Sequence, residues 1–212
     1  LRDIYLHIQF GLVVIQADLA FDLWNISEGE FPGEMNNSEI VVGIVDNSLE
    51  WDHPDLVENI WQNLGEDADG DGVVIIQSGN SWIFDPDDIN GIDDDGDNYV
   101  DNFIGWDFTG GGDNDPIYPS SSLSHGTSVA GCVSSMTNNS AGVASVGWSV
   151  KIMPFRCSDS GQYIDYGYNG ILAAAQMGAN VINCSWGGFG GGNQSVINTA
   201  YNTYCLLYTS PS

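Results

Sequence analysis

An aspartate and a histidine in two distant segments have the residue types of an acid–base pair. Asp46 follows the apolar run 40–45, and His125 begins a run of small residues that ends at Gly131. A histidine works as a general base when an acceptor holds its far ring nitrogen, and an aspartate at a strand end can be that acceptor. Each residue alone is more often structural, as a turn or cap aspartate or a hydrogen-bonded histidine. The pair predicts that a carboxylate oxygen of Asp46 lies within hydrogen-bond reach of His125.

Regular elements would have to position this pair. Residues 40–45 are β-branched and apolar, which is typical of a strand buried on both faces, with Asp46 at its carboxyl end. After His125 the hydrophobic pattern predicts a helix over 126–135, a strand over 150–155, a helix over 164–177 and a strand over 181–184. This alternation predicts a parallel sheet whose functional residues lie at the carboxyl ends of the strands.

Composition and charge restrict the possible partners. The chain has 212 residues, of which 42% are hydrophobic, so we expect one domain, or part of one, with a packed core. Three basic residues oppose 29 acidic ones, and the net charge of −26 argues against nucleic acid and anionic membrane surfaces as partners. The acidic residues cluster at 67–71 and 85–101, where they repel one another unless a cation such as calcium neutralises them. No apolar run has the length of a transmembrane helix.

Residues 63–124 are rich in Gly, Asp, Asn, Pro and Ser and have no sustained helical period. They predict a long acidic loop insertion with a hairpin over 73–84.

The four cysteines, at positions 132, 157, 184 and 205, have neither the spacing of a zinc site nor the density of a disulfide scaffold. We therefore predict buried free thiols.

Three motifs occur in the order and at the approximate spacing of one enzyme family. The first runs from Asp46 to His53-Pro54-Asp55-Leu56, the second is the segment 124–131, and the third is the segment 181–188. In these motifs the chain resembles the subtilisin-like serine proteases, over roughly residues 17–204. Residues 20–26 and 105–108 also resemble the family's N-terminal helix and the segment before its histidine. The resemblance implies a three-layer α/β fold with a mostly parallel central sheet, truncated at the C-terminal side.

The resemblance also assigns roles. Asp46 would orient the imidazole and stabilise its charged form, and His125 would be the general base and later the general acid of an Asp-His-Ser triad. The family's Gly-Thr-Ser-Met-Ala nucleophile motif and its oxyanion asparagine do not follow in this sequence. We therefore expect this chain to be inactive alone and its full-length parent to be a secreted serine endopeptidase, with a possible pro-segment. Residues 205–212 resemble a translated sequencing adapter, which would end the domain at 204.

Two other functions are open. A non-catalytic relative could keep the fold as a peptide-binding or structural module, but both candidate triad residues are intact, which favours the enzyme. A calcium-binding adhesive module would explain the acidic loops and leave the segment 125–127 without a purpose. Asn47-Ser48 stands where the family usually has Ser/Thr-Gly, and Ser128 where a second histidine is commonest. These departures concern the fine geometry of the site.

Two segments resemble the family's substrate-binding segments, which pair with an extended protein or peptide substrate through main-chain hydrogen bonds. Tyr163 would border the pocket for the fourth residue before the cleaved bond, and two glycines would let the backbone form the wall of the primary pocket. An ordinary loop is the plainer interpretation of those glycines. The predicted substrate-binding residues are Ser160, Gly161, Tyr163, Ser185, Trp186, Gly187 and Gly188.

The segment 137–143 resembles the family loop that binds a structural calcium ion, and Asp55 falls where the family supplies a carboxylate to the same ion. An all-oxygen ligand set suits calcium. The predicted ligands are Asp55, the side chain of Asn139 and the carbonyls of Thr137, Ala141 and Val143. The acidic runs 67–72 and 93–101 also resemble calcium loops, but neither has the glutamate at position twelve of an EF-hand. A solvated acidic loop is the alternative there.

Overall fold

The fold is described from a computed structural model, which covers residues 12, 14–25, 34–35, 38–118, 125–137, 139–188, 192–203 and 206–209. The strands are β1 (Glu34–Met35), β2 (Ser38–Glu39), β3 (Val41–Asp46), β4 (Ile75–Ser78), β5 (Ser81–Phe84), β6 (Trp106–Asp107), β7 (Lys151–Arg156), β8 (Val181–Cys184) and β9 (Leu206–Thr209). The helices are α1 (Ala17–Phe21), α2 (His125–Ser134), α3 (Gly167–Gln176) and α4 (Gln194–Asn202), with a short 3₁₀ turn at Val57–Asn59.

Five parallel strands form the central sheet in the order β6-β7-β3-β8-β9. Strand β3 lies in the middle, and all six of its residues are buried. Its last residue, Asp46, pairs in register with Arg156 at the end of β7. The carboxyl ends of the central strands therefore meet at one edge of the sheet, which confirms the predicted α/β fold with a mainly parallel sheet.

Alternate residues of β3 pack into two separate cores, one on each face of the sheet. Val45 belongs to the core that includes Ala174 of α3, and Ile44 belongs to the core that includes Ala130 of α2. Gly43 permits the close contact with α3, since a Cβ at this position would lie 2.9 Å from the Cβ of Ala174. Helices on both faces of one sheet give the three layers that the sequence predicts.

The acidic insertion is anchored on the core rather than fully solvated. Strands β4 and β5 pair as an antiparallel hairpin within the predicted range 73–84. Phe84 stacks on Trp51 with ring centroids 4.7 Å apart and contacts Phe103, which is fully buried. The interpretation of residues 63–124 as loop with one hairpin therefore misses β6, which pairs with β7 in the central sheet, and underestimates the apolar packing; residues 119–124 lie outside the described residues.

Some sequence-based bounds differ from the structure. The N-terminal helix ends at Phe21, so the helix expected over 20–26 lies about one turn too late in the sequence. Cys157 and Cys184 are buried and form no disulfide, as predicted, whereas Cys132 is exposed and the prediction of burial is wrong for it. Cys205 lies outside the described residues. Residues 206–209 pair in parallel with β8, and their interpretation as an adapter stays a prediction.

Candidate active site

The end of β3 and the start of α2 bring the predicted acid–base pair together. Nδ1 of His125 lies 2.9 Å from Oδ1 and 3.0 Å from Oδ2 of Asp46. The Asp46 side chain is 3% exposed, whereas that of His125 is 56% exposed. The carboxylate is thus fixed inside the protein while the imidazole is open to an incoming group. Because this contact engages Nδ1, Nε2 is the nitrogen that remains for proton transfer.

Asn47 connects three parts of the site. Its backbone N–H donates to Oδ1 of Asp46 at 2.7 Å. Its side-chain oxygen accepts from the N–H of Gly126 at 3.1 Å, and its amide nitrogen donates to the carbonyl of Gly161 at 2.9 Å. Asn47 therefore links the aspartate, the histidine helix and a candidate substrate segment. The sequence marks this residue only as a departure from the family pattern, and nothing else there pointed to it.

Gly126 allows α2 to start against the end of β3. A Cβ at this position would overlap the backbone carbonyl of Ser48 and lie 2.9 Å from the Cβ of Asp46. Close by, the hydroxyl of Thr127 accepts a hydrogen bond from the backbone N–H of Glu50 at 3.0 Å. The small residue after the histidine is thus required by the short distance between helix and strand.

The two predicted substrate segments flank Asp46 at the same edge of the sheet. Residues 160–163 lie shortly after β7 and residues 185–188 directly follow β8, and both strands pair with β3. Tyr163 is 72% exposed, and added Cβ atoms on Gly187 and Gly188 would meet nothing within 4 Å. Tyr163 and the backbone at Gly187 and Gly188 are therefore accessible from outside the protein, and their role in substrate binding stays a prediction.

Some side chains in these segments form hydrogen bonds within the protein. Trp186 turns inward, where its indole N–H donates to the carbonyl of Val45 at 2.8 Å. The hydroxyl of Ser185 donates to Asn183 at 2.7 Å, and that of Ser160 accepts from the N–H of Gln162 at 3.2 Å. The indole N–H of Trp186 and the hydroxyl proton of Ser185 are thus used within the protein.

The sequence profile of the Subtilase family matches residues 37–209. The chain belongs to the subtilase family. It is 31% identical to thermitase of Thermoactinomyces vulgaris over 199 residues, which are 92% of this chain and 50% of thermitase. It is 36% identical to the extracellular protease of Xanthomonas campestris pv. campestris over 97 residues, which are 41% of this chain and 17% of that protein. This subtilase chain thus spans half or less of the length of these relatives.

A solved structure described as proteases from Pseudoalteromonas arctica PAMC 21717 superposes with a TM-score of 0.54 at 24% identity. The superposition covers 81% of this subtilase chain and 49% of that chain. This similarity supports the fold described above. No helix in the described part of the chain is long and apolar enough to cross a membrane.

An ion pair that the sequence analysis did not foresee supports the subtilase sheet beside Asp46. Nη1 of Arg156, at the end of β7, lies 2.6 Å from Oδ2 of Asp107, and both residues are buried. Burial raises the pKa of Asp107, and hydrogen bonds from Thr109 and the charge of Arg156 oppose that rise. The signal in the sequence was weak: one of only three basic residues directly follows a predicted strand.

The loop predicted to bind calcium closes around Asp55. This carboxylate is buried, with Oδ1 accepting from the amide of Asn139 at 2.8 Å and Oδ2 from the N–H of Val143 at 3.0 Å. The carboxylate, the amide and the loop carbonyls provide the oxygen donors that calcium prefers, so the residues present fit this ion. The calcium ligands themselves stay predictions, including the carbonyls of Thr137 and Ala141.

Proposed function

We propose that the protein containing this chain is a serine endopeptidase in which Asp46 orients His125 and His125 transfers protons. The contact between these two side chains at the end of β3, in a chain of the subtilase family, carries this proposal. The buried carboxylate and the open imidazole have the unequal exposure that the two roles need, since one positions and the other meets the substrate.

The chemistry follows from that geometry. Nε2 of His125 takes the hydroxyl proton of a serine while the serine oxygen attacks the peptide carbonyl carbon. The C–N bond then breaks, the leaving amine takes the proton from the imidazolium, and water hydrolyses the acyl-enzyme by the same route. Asp46 stabilises the imidazolium through Nδ1. We place the serine and the oxyanion asparagine outside this sequence, because no Gly-Thr-Ser-Met-Ala motif follows residue 125.

The substrate in this proposal is an extended peptide strand that enters between the segments 160–163 and 185–188. Main-chain pairing on both sides would hold it across the end of β3, and Gly187 and Gly188 leave room for a side chain. We place the enzyme outside the cell, since a relative is described as an extracellular protease. A pro-segment is part of the same proposal.

The test compares this chain with a version extended through the parent gene's serine and asparagine motifs. The extended protein should cleave a denatured protein substrate and be blocked by a serine-directed acylating inhibitor, whereas the present chain should show no turnover. In the extended protein, His125→Ala should abolish cleavage. Asp46→Asn should lower kcat by about 10⁴-fold, since the wrong tautomer is then favoured. An inactive extended protein, or turnover by the present chain that His125→Ala removes, would refute the proposal.

We also propose that calcium stabilises the domain through Asp55 and the loop 137–143. At a hundredfold excess over the dissociation constant the ion would contribute about 2.7 kcal/mol. The melting temperature should therefore rise with calcium and fall with a chelator, and Asp55→Asn should reduce this response. If neither calcium nor the chelator changes the melting temperature, the chain lacks this site.

A further inference from the structure

The first acidic loop, defined here as residues 67–73, has carboxylates at alternate positions. Oxygens of Asp67, Asp69 and Asp71 all lie within 4.8 Å of one another. The two carboxylate oxygens of Asp67 accept from the N–H groups of Gly70 and Gly72 at 2.8 and 2.9 Å, so the loop curls around this residue. Three negative charges this close repel one another, although such clusters also occur on protein surfaces without an ion.

A second observation points to a ligand: Asp88 is completely buried against this loop. Its Oδ1 accepts from the backbone N–H groups of Ala68 and Asp69 at 2.9 and 3.3 Å. Its Oδ2 is buried and has no hydrogen-bond partner among the residues that the structure describes. A buried ionised oxygen without a donor is costly, and this oxygen belongs to a carboxylate held directly at the acidic loop.

No basic side chain in the described ranges neutralises this group. Lys151 pairs with Glu39, and Arg156 pairs with Asp107. Burial raises the pKa of Asp88, the two backbone N–H groups lower it, and the charges of Asp67 and Asp85 raise it again. A cation from solution would neutralise the negative charges of the first acidic loop.

We propose that the first acidic loop and Asp88 bind one calcium ion, at a site separate from the loop around Asp55. The carboxylates of the loop occupy the first, third and fifth positions of a calcium loop, and Gly72 occupies the sixth. The twelfth position is Ser78, which cannot supply the usual carboxylate. In this proposal Asp88, from a later part of the insertion and hydrogen-bonded to the backbone of the loop, supplies a carboxylate instead. Six to eight oxygens from carboxylates, carbonyls and water suit calcium better than the smaller magnesium ion.

The second acidic run, residues 93–101, does not carry the same inference. Oδ2 of Asp95 accepts from the amide of Asn63 at 2.8 Å, and Oδ2 of Asp97 accepts from the amide of Asn102 at 2.9 Å. The buried Glu66 beside them accepts three backbone N–H groups, at 3.0 to 3.2 Å. Side-chain amides and backbone thus supply donors in this run, whereas Oδ2 of Asp88 has none in the described structure.

Calcium titration of the whole chain by calorimetry, after chelator treatment, tests the proposal independently of catalysis. In an Asp55→Asn background, which removes the other proposed site, one calcium ion should still bind. Adding Asp88→Asn should weaken that binding at least about tenfold, because it removes a direct ligand, and loss of even a ligand's hydrogen-bond partner weakens metal binding by about 10- to 100-fold. The matched control is Asp87→Asn, which removes the same charge from the exposed neighbouring residue and should leave the affinity unchanged.

Stability without calcium gives a second readout. Asp88→Asn should not lower the melting temperature in chelator. Without an ion, the carboxylate has a buried oxygen, Oδ2, that accepts no hydrogen bond from the described part of the chain, and a neutral amide avoids burying that negative charge. If Asp55→Asn does not fold, Asp88→Asn and Asp87→Asn are compared in the unaltered chain, where only the first should weaken the binding of one of the two calcium ions by at least about tenfold. Calcium binding that is absent, unaffected by Asp88→Asn, or weakened equally by both substitutions would overturn the proposal.

Discussion

Replacing Gly126 by alanine tests whether the short distance between α2 and β3 holds the acid–base pair together. The added Cβ would overlap the carbonyl of Ser48 and approach the Cβ of Asp46 to 2.9 Å. Ser48 and Asp46 are both buried. The two atoms in question are a backbone oxygen and a Cβ, which cannot move away by a side-chain rotation. Overpacking of this kind costs about 1–3 kcal/mol, and we expect the upper part of that range.

The gain in helix propensity offsets only part of this cost. Alanine is better than glycine by about 1 kcal/mol inside a helix, and Gly126 lies in the first turn, where the gain is smaller. The net loss of unfolding free energy should be about 2 kcal/mol, which corresponds to a melting temperature lower by about 4–8 °C in a chain of this size.

Gly131 provides the matched control in the same helix. A Cβ there would meet only the Ser135 hydroxyl at 3.4 Å, which is ordinary contact. Gly131→Ala should therefore stabilise the chain by about 0.5–1 kcal/mol. Urea unfolding followed by fluorescence measures both variants. If Gly126→Ala unfolds at the same urea concentration as the parent chain or at a higher one, the packing argument is wrong.

Three further predictions use the same unfolding measurement. Arg156→Met should lower the free energy of unfolding by about 3 kcal/mol, because it leaves the buried carboxylate of Asp107 without its cation. A decrease of less than about 1 kcal/mol would contradict this prediction. Burial raises the pKa of Glu66 above its ordinary value of 4.5. Between pH 4.5 and the folded pKa, the folded chain therefore binds more protons than the unfolded chain. In chelator, unfolding free energy should thus fall as pH rises from 4.5 through the folded pKa, and Glu66→Gln should flatten the slope. Asn47→Ala should lower the free energy of unfolding by about 1–3 kcal/mol, because hydrogen bonds such as the one to Gly161 are lost. An unchanged urea midpoint would show that Asn47 does not stabilise the fold.

Local patterns in the sequence were enough to predict the strands and helices that carry the candidate site. The β-branched run before Asp46 became the central strand, and the strand predicted over 181–184 has those bounds in the structure. The first prediction succeeds because a strand buried on both faces needs a run of apolar residues, which is visible in sequence. Strand β8 instead alternates between buried and half-buried residues, the pattern of a strand with one face in the core. The order of the three motifs likewise indicated the family before any distance was known.

Tertiary structure alone decided how the partners meet. Asn47 bonds to Gly161, which is 114 residues away, and no local pattern encodes such a hydrogen bond. The same holds for Asp88, whose burial against the first acidic loop depends on the path of the whole insertion. The sequence determined which elements form because their periodicity is local, whereas long-range packing determined which polar groups are paired and which are left to bind an ion.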